Sequence, residues 1–150
     1  MRDILFKAKR IDNGEWVEGW LFDDGFIDSK RYFVESIVIV DYKGNVYEKF
    51  EILGTCFNEV FPETICQYTG LTDKNGNKIW ENDVVRSTIK TERKAKVVYG
   101  DFNCNCCHGV YGWTFESIGE YSEICDIRRA ETVEVIGTIF DNPELMERMG

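Results

Sequence analysis

The chain has a single histidine, His108, in 150 residues, and that scarcity removes most nucleophilic catalysis at the outset. A serine or cysteine nucleophile normally needs a neighbouring base. Only a Cys–His dyad stays open, because His108 ends the run CNCCH after Cys104, Cys106 and Cys107. Basic residues are also short, 18 Lys and Arg against 27 Asp and Glu, for a net charge of −9. A surface of that sign repels a phosphate backbone and lacks the counterion release behind most non-specific nucleic-acid affinity. Splitting the chain at Gln67/Tyr68 gives about −5 and −4, so neither half is a basic domain. No segment approaches the ~18 consecutive apolar residues of a membrane span. The start, MRDILFKAKR, is charged almost from its first residue and has no apolar signal-peptide core. The expectation is a cytosolic protein, a compartment in which six cysteines remain free thiols.

What the chain does have is a sheet-forming composition. Apolar residues reach 43% and aromatics 14%, too rich for disorder and weighted toward the pleated surface that aromatic and β-branched side chains suit. Its length suits one compact domain or two small ones. Turn signals recur regularly. Ile4, Phe6 and Ala8 alternate with polar neighbours, Asn13-Gly14 follows, and an aromatic run spans 15–22. Asn-Gly predicts a tight hairpin, since both residues accept positive φ. The run YFVESIVIV over 32–40, the turn Lys43-Gly44-Asn45 and residues 46–52 predict a second hairpin. Asp73-Lys74-Asn75-Gly76-Asn77 is the strongest turn, separating strands over 68–71 and 79–85; later strands are expected over 95–99, 111–116 and 133–140. Pro62 can open a single helical turn, and the main division is placed there. Near the end, Asp141 or Asn142 with Pro143 and Glu144 carries a helix-start signal, with Leu145 and Met149 one turn apart.

Two segments bear a resemblance. PETICQYTGLTDKNGNKIWENDVV over 62–85 and VEVIGTIFDNPEL over 133–145 resemble the YopX family, small proteins carried mostly by phages and prophages. The family's run has Gly where this chain has Cys66 and Asn82. Asparagine tolerates positive φ, so the turn at Asn82 is expected to survive; Cys66 leaves close backbone approach at that point in question. The resemblance implies a mainly β fold. The expected arrangement is an N-terminal hairpin lobe over 1–61, followed by what the resemblance implies, an SH3-like β-barrel over 62–150 ending in a short C-terminal helix. It implies no activity.

Each candidate chemistry has a plainer alternative. Cys104 and Cys107 stand at C-x-x-C spacing, which suits two ligands of one zinc ion, with Cys125 as a distant partner. Structural zinc sites usually draw a second pair from another knuckle, whereas His108 is adjacent to Cys107, so reduced thiols in a loop are the expectation. DKNGN is not a calcium loop, which needs glycine sixth and glutamate twelfth; from Asp73 the glycine is fourth and the twelfth residue is Val84. Asp83 reads as a turn carboxylate that accepts backbone N–H bonds. Lys90, Arg93, Lys94 and Lys96, with Glu92 among them, read as a solvated hairpin face, a phosphate contact being the alternative. Tyr68, Trp80, Tyr99, Tyr111, Trp113 and Phe115 divide between core and a possible recognition surface.

These readings converge on a non-catalytic accessory protein of the bacterial host cytoplasm that binds another protein. No catalytic, cofactor-binding or metal residue is assigned, and no cofactor or membrane partner is implied. A nucleic-acid contact through residues 90–96 and a zinc-stabilised module through Cys104/Cys107 are the alternatives.

Overall fold

The computed structural model describes residues 4–25, 30–35, 57–91, 93–102, 110–119 and 127–147. The chain divides into two units, Ile4–Gln67 and a second that starts at Tyr68. The strand Cys66–Thr72 runs through the division. The second predicted hairpin, over 32–52, lies outside the described residues beyond Glu35, as do Cys104, Cys106, Cys107, His108 and Cys125.

In the first unit, β1 (Phe6–Lys9), β2 (Trp16–Asp23), β3 (Tyr32–Glu35) and β4 (Phe57–Val60) follow one another as antiparallel neighbours. The β1–β2 connection is wider than a two-residue hairpin. Arg10 and Glu15 pair through Arg10 N–H to the Glu15 carbonyl at 2.9 Å, and Gly14 alone takes positive φ, at 70°. Asn13 instead accepts the Glu15 N–H on its side-chain oxygen at 2.9 Å, so this Asn supports the turn from its side chain. Ala8, Val34 and Val60 form the buried centre, flanked by Val17, Leu21, Tyr32 and Ile65.

The 3₁₀ turn Pro62–Thr64 has proline in its first turn, as expected. Thr64 makes it a clasp. Its hydroxyl donates to the Phe61 carbonyl at 2.7 Å and accepts the Lys9 N–H at 2.9 Å, which ties the turn to β1. β5 (Cys66–Thr72) then pairs with β1 at Lys7 and Phe6. Cys66 is fully buried in that strand.

In the second unit β5 turns through Asp73 into β6 (Lys78–Trp80). The expected strand over 79–85 is two strands. Asn82 adopts φ 65° and separates β6 from β7 (Asp83–Ser87). β8 (Lys94–Phe102) and β9 (Val110–Ile118) form a long ladder; after a 3₁₀ stretch at Ile127–Thr132 comes β10 (Val133–Thr138). The sheet order is β10-β7-β8-β9, all antiparallel. Ile79, Val85, Ala95, Val97, Phe115, Ala130 and Val133 make the core, with Leu71, Trp113 and Val135 packed against it.

Mainly antiparallel β structure is therefore observed, but no closed barrel forms among the described residues. β9 and β10 lie at opposite edges of the four-stranded sheet and do not pair. Nor does the C-terminal helix form there. Pro143–Met146 is one 3₁₀ turn, and Glu147 is already extended at φ −73°, ψ 138°. One turn cannot repay helix nucleation, and Asn142 is otherwise engaged. Its side-chain oxygen accepts the Thr138 N–H at 3.4 Å instead of capping the turn.

That engagement explains Gly137. β10 carries a bulge between Val135 and Gly137, and Asn142 folds back over the glycine. A methyl group at Gly137 would overlap the Asn142 side-chain amide and meet Leu145 Cδ1 at 3.0 Å. Gly137→Ala is expected to cost about 1–3 kcal/mol by overpacking. In Asn142→Ala the same substitution should cost less, a non-additivity that urea denaturation of the four-protein cycle measures.

Candidate functional site

The carboxylate of Asp73, in the turn between β5 and β6, accepts four hydrogen bonds. One oxygen accepts N–H bonds from Asn75 and Asn77, each at 2.9 Å. The other accepts the Val135 N–H of β10 at 2.9 Å and the Asn77 side-chain amide at 3.4 Å. Lys74 N–H adds a bond to the Val133 carbonyl at 3.0 Å. The turn is therefore latched onto the last strand. Burial pushes the Asp73 carboxyl upward, but the bonds from Val135, Asn77 and Asn75 outweigh it and hold it below its ordinary 3.8.

Asp83 does what its position after a turn suggests. Its carboxylate accepts the Trp80 N–H at 2.8 Å across the Glu81-Asn82 turn. Asn82 donates its N–H to the Val97 carbonyl at 2.9 Å and accepts from Ile139 N–H at 3.1 Å. In the run YTGL, the Thr69 hydroxyl donates to the Ile79 carbonyl at 2.8 Å, and Gly70 supplies φ 85° at a register shift. These residues hold the fold together.

The six aromatics separate cleanly. Phe115 is core, and Tyr68 and Trp80 are buried against each other, ring centroids 5.4 Å apart. Tyr99 and Tyr111 are 53% and 73% exposed, and Trp113 is half-buried. Register explains the arrangement. Val97 faces Phe115 and Tyr99 faces Trp113 on one side of the β8–β9 ladder, so the core face continues outward into solvent. Tyr99 meets Tyr111 at 5.6 Å and 75°, and Trp113 at 4.9 Å and 66°, both edge-to-face.

The basic segment is partly committed to the fold. Lys96 faces Glu116 across the ladder at 3.6 Å, and Lys94 Nζ donates to the Leu145 carbonyl at 2.8 Å. Alternation places both on the side of β8 opposite Val97 and Tyr99. Among the described residues no three His, Cys, Asp or Glu side chains gather to hold a metal, and no helix is long and apolar enough to cross a membrane. Sequence reasoning missed the Thr64 clasp, the Asp73–Val135 bond and the Gly137–Asn142 contact. Their only signal was the presence of Thr, Asp and Asn beside turns, which names donors and acceptors but not distant partners.

Comparison with known proteins identifies the chain. The family described as YopX protein matches residues 6–147. The chain belongs to the YopX family. Both signature runs lie within the matched span, and the bonds from Asp73 to Val135 and from Asn82 to Ile139 show how the two YopX segments join. No curated protein matches. Among solved structures, the crystal structure of protein EF1440 from Enterococcus faecalis is similar with a TM-score of 0.53 at 21% identity, covering 98% of this chain and 100% of that one. At that identity the likeness shows the fold alone.

Asp73→Asn tests the latch. In either orientation the new amide nitrogen faces an N–H donor, so at least one buried bond is lost, at about 1–3 kcal/mol. The sign with pH follows from the lowered carboxyl. The wild-type advantage should be complete above the unfolded carboxylate range, about pH 4, and vanish as pH falls through the folded-state value. Urea denaturation of both proteins from pH 7 to pH 2.5 or so measures it; a pH-independent difference contradicts the account.

Proposed function

We propose that this YopX protein is a non-catalytic, phage- or prophage-associated accessory protein that binds another protein in the bacterial host cytoplasm. Its contact surface is the aromatic end of β8 and β9. The observation that carries this reading is the cluster of Tyr99, Tyr111 and Trp113, two rings exposed and the third anchored on the core. Tyr and Trp are the residues most enriched at the energetic centres of protein interfaces, where a rigid ring buries large area at small entropic cost. Two further observations support it. The signature carboxylates Asp73 and Asp83 accept backbone N–H bonds, an occupation that suits holding a turn. Lys94 and Lys96 are engaged within the fold, which weighs against a phosphate contact through residues 90–96.

The test is affinity capture from lysate of the bacterial host at physiological salt, with the wild-type chain beside Tyr99→Ala/Tyr111→Ala. Both tyrosines are more than half exposed, so the double variant should stay folded, its thermal midpoint lowered by a few degrees as the edge-to-face contacts are lost. The expected result is a stoichiometric protein partner held by the wild type and lost by the variant. A partner retained by both places the contact elsewhere on the chain, and no stoichiometric partner overturns the reading.

A further inference from the structure

Three aromatic rings elsewhere in the protein carry their own cations. Lys7 and Lys9 sit over Trp16 at 4.5 and 5.4 Å, Arg31 over Phe33 at 5.4 Å, and Lys78 over Tyr68 at 5.9 Å. The cluster on β8 and β9 is different. Among the described residues Tyr99, Tyr111 and Trp113 contact only one another as rings, and no cation stands over any of them. The nearest lysines along β8, Lys94 and Lys96, project from the other side and are engaged with Leu145 and Glu116. The edge-to-face packing around Tyr99 turns ring faces in different directions, and a ring face is electron-rich.

We propose that this cluster accepts an arginine side chain from a basic segment of the partner protein, an inference that rests on the protein-binding reading above. Three features favour that occupant. The chain's net charge of −9 draws cationic partners and repels anionic ones. A guanidinium stacks flat on an aromatic face and sheds its water more readily than an ammonium. A tyrosine hydroxyl can accept its N–H groups while one ring face covers its plane. Single-stranded nucleic acid also stacks on exposed rings, but it would bring phosphates to a chain with nine more acidic than basic groups.

The experiment titrates the full chain with three peptides of four dipeptide repeats each, Arg-Gly, Lys-Gly and citrulline-Gly, and with a short oligothymidylate. Calorimetry at physiological salt reads the affinities. The Arg-Gly peptide should bind, the Lys-Gly peptide several-fold more weakly, and the citrulline peptide and oligothymidylate not measurably. Tyr99→Ala/Tyr111→Ala should weaken the Arg-Gly peptide about fivefold to tenfold. Tyr99→Phe/Tyr111→Phe keeps the ring faces and should weaken it far less. Equal affinity for arginine and lysine peptides, unchanged by the alanine variant, would mean general acidity alone and would overturn the proposal. So would no arginine binding, or oligothymidylate binding at the same tyrosines. If the host-lysate capture yields a tyrosine-dependent partner while the Arg-Gly peptide fails, the protein-binding reading stands and the arginine chemistry falls.

Discussion

The second unit depends on a buried carboxylate with a donor at each of its positions. Asp73 accepts two N–H groups of its own turn, a third from Val135 and a side-chain amide from Asn77. A buried charge of this kind is costly unless its lone pairs are filled. Here the filling is what joins the β5–β6 turn to β10. Once that strand is in place, it pairs with β7, and Ile139 reaches the carbonyl of Asn82. Two stretches far apart in the sequence thereby become one structural motif.

That motif and the proposed working surface are separate. Thr64, Asp73, Asn82, Asp83, Gly137 and Asn142 all satisfy backbone groups or leave room for one another. Tyr99, Tyr111 and Trp113 lie between the two signature runs, on strands whose inner ends fill the core. Chemistry belongs to a site and not to a fold, so the two signature runs mark the fold and the proposed contact falls on strands between them.

Local chemistry made much of the fold legible. Asn-Gly and Asp-Lys-Asn-Gly-Asn marked two turns, proline marked a 3₁₀ turn, and the asparagine in the glycine position did take positive φ at Asn82. Alternating runs marked β8, β9 and β10, whose bounds extend or shorten by a few residues. What failed was whatever a distant partner decides. The segment at Asn142 has the composition of a helix start, yet its amide turns back to Thr138, and the chain extends again at Glu147. The barrel expectation came from resemblance, and the observed strand order leaves β9 and β10 unjoined. At the candidate surface, residue type could not distinguish Phe115 from Tyr111. Both lie on one face of one strand, and only the extent of the covering core separates them.

The order β10-β7-β8-β9 places the last strand of the chain at an edge, directly beside β7. During synthesis the hydrophobic centre described for the first unit, from Ala8 to Ile65, is made before Tyr68. The second cannot close in the same stepwise way. Until residues 133–138 leave the ribosome, β7 has a bare edge, Asp73 lacks its Val135 donor, and Val133 is missing from the core. Exposed strand edges and apolar surface are the features that make nascent chains adhere to one another. A message truncated shortly before that strand would therefore release a chain whose second unit has a bare edge and an incomplete core.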